Sequence, residues 1–110
     1  MEKAERFKET YGFQKAYGSY EKLLADPKVE AVYIPLPNTM HYEWTIRALK
    51  SGKHVLCEKP LAPTEAQAEE MFKAAEENHV YMMEAFAYQH SPYIAAVRKE
   101  IENGTIGDVR

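Results

Sequence analysis

The chain has 110 residues, enough for one domain with a core of ordinary density. Its 45% hydrophobic and 28% charged residues exclude a disordered chain, and a net charge of −3 without a basic block argues against nucleic acid or a membrane surface as main partner. Cys57 is the sole cysteine, which rules out an internal disulfide and makes a reducing cytoplasm the simplest location; no apolar run approaches the ~18 residues of a membrane span, and Met1–Glu5 is no secretory signal.

Residues Glu2 to Thr10 read as a charged helix ending near Gly12, with Phe7 and Tyr11 four apart on its inward face. Lys15 to Tyr17 allow a short strand. Ser19 is a candidate N-cap for a short helix with Leu23 and Leu24 turned inward, stopped at Asp26-Pro27. Ala31 to Leu36 is a near-continuous apolar run, the pattern of a strand buried on both faces of a parallel sheet. A helix over Met40–Ser51 follows, stopped by Gly52. Lys53–Cys57 is the next strand. Thr64-Glu65-Ala66-Gln67 has the pattern of a capping box, with Ala68, Met71, Phe72 and Ala75 in register along a helix to Asn78. Val80–Glu84 is a third strand. Ser91-Pro92 opens a last helix with Ile94, Val97 and Ile101 as its apolar stripe, and Gly107 allows another strand. Alternating strands and helices with short connections imply an α/β fold around a parallel sheet.

Ligands of open α/β sheets bind beyond the carboxyl ends of the strands. Three such ends follow here. The first is Pro35-Leu36-Pro37-Asn38, with His41 one turn on. The second is Cys57-Glu58-Lys59-Pro60. The third runs from Glu84 through Tyr88 and Gln89 to His90. Pro60 stops its strand and also permits a cis Lys59-Pro60 bond. Read alone, each cluster is a solvated loop, and Lys59 with Glu58 is a surface ion pair worth little. Three polar clusters on one rim are harder to dismiss. Cys57 reads as a small apolar group without an activating base, His54 and His79 read as structural or exposed, and Trp44 reads as core or interface rather than a stacking platform. The histidines and carboxylates lack metal-ligand spacing, so no metal is expected.

The stretches Ala31–Asn38, His41, Gly52–Leu61, Met83–Phe86 and Ile106–Val109 together resemble the glucose–fructose oxidoreductase/inositol dehydrogenase (Gfo/Idh/MocA) family over essentially the whole chain. The resemblance implies a Rossmann-type fold and hydride transfer between NAD or NADP and a sugar, polyol or related alcohol. It implies that Pro35, Leu36, Pro37, Asn38, His41, Glu58, Lys59 and Pro60 border the cofactor. Lys59 would be catalytic, sharing a proton with the substrate hydroxyl, while Glu84, Tyr88 and His90 would approach substrate. His41 has a competing role in packing the start of its helix. Relatives often carry arginine where Gln89 stands, which leaves no charged substrate contact at that position.

The resemblance also implies an incomplete dinucleotide-binding domain over residues 1–110. The five glycines include no Gly-x-Gly-x-x-Gly turn, so the first strand-turn-helix-strand unit and the second, substrate domain are both expected to be lacking. On that reading the chain alone binds no dinucleotide tightly, is inactive, and self-associates as a homo-oligomer. In the usual strand order the first strand would lie beside Ala31–Leu36, and an open edge there recruits partners. The alternative reading is a non-catalytic fragment or a self-associating binding module.

Overall fold

The computed structural model describes residues 1–109. Its elements are α1 (Glu2–Tyr11), α2 (Tyr20–Leu24), β1 (Ala31–Ile34), α3 (Asn38–Lys50), β2 (His54–Cys57), α4 (Glu65–Glu77), β3 (Met82–Glu84), a 3-10 turn (Ala87–His90) and α5 (Pro92–Glu102). The three strands form one parallel sheet in the order β1-β2-β3, with Ile34 opposite Cys57 and Cys57 opposite Glu84. The three central strands and both crossover helices are therefore present, as in a Rossmann-type domain, the strands one or two residues shorter than expected and α3 starting two residues earlier.

Helices α3 and α4 pack on one face of the sheet and against each other. Helix α3 buries His41, Thr45, Ala48 and Leu49, and α4 buries Met71, Ala74 and Ala75, each set on one helical stripe. The alanines let the helices approach closely. Ile34, Val55, Cys57 and Leu61 meet them from the sheet side. Each large apolar side chain so buried contributes about 1.5–3 kcal/mol. Ser19 caps α2 by accepting from the Lys22 amide, Leu24 is buried and Leu23 packs beside it. Gly52 closes α3 at φ 72, a left-handed conformation that favours glycine.

Several local expectations are corrected. The strands are not buried on both faces: Tyr33, Leu56 and Met83 are 54%, 39% and 42% exposed, because no helix among the described residues covers their side of the sheet. Phe7 and Tyr11 do share a face, but they stack on each other and on Phe13 rather than in the core. Helix α5 buries no residue; it packs mainly on the 3-10 turn, and Val97 and Ile101 stay exposed. Phe72 likewise points outward from α4. Only half of the capping box forms: Thr64 accepts from the Gln67 amide, while Gln67 Oε1 has no partner.

Lys15–Tyr17 is not a strand, since no strand lies beside it, and Gly107–Val109 is irregular. Lys15 and the Tyr17 hydroxyl instead donate to Asp26 Oδ2 at 2.5 and 2.9 Å, and the Lys28 amide donates to Oδ1. The Lys15 bond, then the Lys28 amide and the Tyr17 hydroxyl, hold the Asp26 carboxyl far below the usual carboxylate range. Buried Lys53 donates to the Asp26 carbonyl and ties this corner to the start of β2. No helix of the described residues is long and apolar enough to cross a membrane.

Candidate functional site

The carboxyl ends of the three strands converge on one rim, and each is bonded to the next. The Glu58 amide donates to the Ile34 carbonyl at 3.1 Å, and the Ala85 amide donates to the Cys57 carbonyl at 2.8 Å. These bonds carry the ladder past the strand ends into the turns. The Lys59–Pro60 bond is cis.

Glu58 is oriented from both sides. The Tyr33 hydroxyl donates to Oε1 at 2.6 Å, and the Lys59 amide donates to Oε2 at 3.2 Å. The tyrosine bond first, then the amide, holds the Glu58 carboxyl below its ordinary range; the same bond raises the Tyr33 phenol. Glu58 is thus held ionised as an acceptor. Glu84, at the end of β3, accepts the Leu61 amide on Oε1 at 2.7 Å, so part of its carboxylate fixes the turn after Pro60. His41 has no exposed surface. Its Nδ1 lies 2.8 Å from the Pro60 carbonyl oxygen and its Nε2 2.7 Å from that of Leu36.

Lys59 is exposed and, among the described residues, has no ion-pair partner. The surface pair with Glu58 is not made; that carboxylate accepts from the Tyr33 hydroxyl and the Lys59 amide instead. Pro35, Pro37 and Asn38 are exposed beside this turn, and α3 starts at Asn38 without a side-chain cap. Tyr88 and His90 sit exposed on the 3-10 turn beyond β3, with Phe86 against the Tyr88 ring. The structure thus links Leu36, His41, Pro60 and Glu84 through the Pro60–Leu61 peptide, holds Glu58 separately on Tyr33 and the Lys59 amide, and leaves Asn38 and Lys59 open. It gives Tyr88 and His90 no bond to these groups.

Tyr33 escaped the sequence reading, which treated it as part of an apolar run. Counting by twos along the paired strands places Tyr33 and Glu58 on the same sheet face, diagonal neighbours across β1 and β2. Cys57 is fully buried, and burial raises its thiol, so it is no nucleophile. No three His, Cys, Asp or Glu side chains among the described residues gather to hold a metal.

The donor set suits the nicotinamide half of a dinucleotide: one open ammonium, one open amide side chain and the uncapped start of a helix beside exposed prolines. It does not supply a glycine turn for a pyrophosphate. Gly12, Gly52 and Gly104 follow helices, Gly107 lies beyond Gly104, and Gly18 precedes the cap of α2.

A solved 3-ketoreductase from Actinomadura kijaniata, in complex with NADP and TDP-benzene, superposes with a TM-score of 0.88 at 42% identity over 99% of this chain and 33% of its own. Among curated proteins, the dTDP-3,4-didehydro-2,6-dideoxy-alpha-D-glucose 3-reductase of A. kijaniata is 43% identical over 99% of this chain and 32% of its own length. The trans-1,2-dihydrobenzene-1,2-diol dehydrogenase of Xenopus laevis is 39% identical over 100% and 33%. The chain therefore spans about a third of the length of the curated relatives it matches. The model of the oxidoreductase family with an NAD-binding Rossmann fold, GFO_IDH_MocA, matches residues 1–86. With that match over most of its length and a rim built on Glu58-Lys59-Pro60, the chain belongs to the GFO_IDH_MocA oxidoreductase family.

Proposed function

We propose that this chain forms the nicotinamide-facing part of an oxidoreductase that interconverts a hydroxyl and a carbonyl group on a sugar, polyol or related alcohol. The observation that carries this reading is the unpaired Lys59 ammonium on the rim, next to a Glu58 that is locked elsewhere. When bound, NAD or NADP supplies the hydride acceptor or donor. Lys59 hydrogen-bonds the substrate oxygen and shares its proton as that oxygen changes between hydroxyl and carbonyl. Glu58, fixed by Tyr33, accepts from the hydroxyls of the nicotinamide ribose. Asn38 and the prolines before it border the same ribose, and Pro60 ends the strand so that Lys59 projects from the rim. Glu84 holds the turn, and Tyr88 and His90 flank the substrate side.

Titrating the 15N-labelled chain with NADP+ and NAD+ tests this. Weak binding is expected, with dissociation constants at or above about 1 mM, and shifts centred on Asn38, Glu58 and Lys59. Shifts confined to another surface would reject the rim as the binding site. Micromolar affinity by calorimetry would show that the glycine turn is dispensable, against the fit argued above.

The chain by itself is further proposed to self-associate, through the open β1 edge or the bare face carrying Tyr33, Leu56 and Met83. Light scattering at ~100 μM, within the range where exposed edges drive association, is expected to show a dimer or larger species. A well-folded monomer would refute it.

A further inference from the structure

The His41 ring poses a problem of hydrogen-bond accounting. Both of its nitrogens face carbonyl oxygens, at 2.8 and 2.7 Å, and a carbonyl oxygen only accepts. A neutral imidazole has one N–H. Its other nitrogen would set a lone pair against an oxygen lone pair at hydrogen-bond distance, with no water to relieve it, since the ring has no exposed surface. Only the doubly protonated ring satisfies both contacts.

One of those contacts continues further. The Pro60–Leu61 peptide has its oxygen on His41 Nδ1 and its N–H on Glu84 Oε1 at 2.7 Å. A cation and an anion thus sit at opposite ends of one peptide unit. Each polarises it in the same sense, which strengthens both bonds. The peptide is fixed at both ends, one residue after Lys59.

We propose that His41 is a positioning residue, an imidazolium paired with Glu84 across the Pro60–Leu61 peptide, which ties the Pro35–Asn38 turn to the Glu58–Pro60 turn and fixes the base of Lys59. Its importance for turnover rests on the reading of Lys59 as the proton-sharing group; the clamp itself does not. Burial opposes the charge. Two carbonyl oxygens and the nearby carboxylates of Glu58 and Glu84 favour it. Lys59 is the one cation in the facing turn; the Pro35–Asn38 turn carries no charge, and neither do the buried α4 residues Met71, Ala74 and Ala75.

Two measurements test this separately. In 15N-histidine-labelled chain, under conditions where the rings of His54, His79 and His90 each show one bare nitrogen, His41 is expected to show two N–H ring nitrogens with slowly exchanging protons. A His41 ring nitrogen without a proton under those conditions overturns the imidazolium, whatever the activity. In a full-length oxidoreductase built with this chain, His41→Gln is expected to lower kcat by about 10²-fold, the scale of a misplaced reacting group, with the dinucleotide KM within about twofold. A folded His41→Gln protein with unchanged kcat overturns the positioning role. Two N–H nitrogens together with an unaffected Lys59→Ala enzyme would uphold the clamp and reject Lys59 as the proton-sharing group.

Discussion

In a full-length oxidoreductase built with this chain, Lys59→Ala is expected to lower turnover by about 10²- to 10⁴-fold, the usual contribution of positioned proton transfer, with little change in dinucleotide affinity. The ammonium has no protein partner to lose, so the substitution leaves no buried charge and should not unfold the domain. Glu58 keeps its bonds from the Tyr33 hydroxyl and the residue-59 amide, so its proposed role toward the ribose is left intact. Lys59→Arg should be nearly as impaired, because a guanidinium keeps its proton. Steady-state kinetics with thermal unfolding as a control separates these effects. Unchanged turnover in Lys59→Ala would make the residue an ordinary solvated turn lysine.

The fold should respond most strongly at Leu49. This side chain has no exposed surface and sits on the buried stripe of α3 above the sheet. Leu49→Ala is expected to cost about 2–5 kcal/mol, from lost burial and the cavity left behind. Against a total of about 5–15 kcal/mol for a domain, that is a major share. Phe72→Ala, at a side chain 56% exposed on α4, should stay within about 0.5 kcal/mol and serves as the control. Urea unfolding followed by circular dichroism measures both. Equal midpoints for the two variants would mean that the α3–α4 layer is not the core.

The rim was legible because prolines punctuate it. Pro35, Pro37 and Pro60 end apolar runs abruptly, and the charged pair before Pro60 has no place inside a sheet. The crossover helices were legible from the spacing of Thr45, Ala48 and Leu49, and of Met71 and Ala75. What covers an apolar stripe was not legible. Val97 with Ile101, and Phe7 with Tyr11, show the right spacing, yet periodicity says only that they share a face. The bonds of the site were hidden for another reason. His41 meets Pro60 across 19 residues and Tyr33 meets Glu58 across 25, so both depend on strand register. A packing role for His41 was open from its place near the start of α3, but its two carbonyl partners could not be named. Lys15 and Tyr17 resembled a strand because their side chains, engaged by Asp26, carry no local mark of that use.

The sheet divides its two ends between different constraints. At the carboxyl ends, backbone and side-chain bonds lock each turn to its neighbour. At the opposite ends, about 13 Å away along four-residue strands, the chain returns through Ser51–Lys53 and Asn78–Tyr81, with Gly52 and His79 at positive φ. Those returns carry no rim residue. Lengthening or recoding the Ser51–Gly52 turn therefore leaves the register of β1 on β2 to be set by the strands themselves. No rim residue lies in that turn, which makes it the natural site for a graft or label.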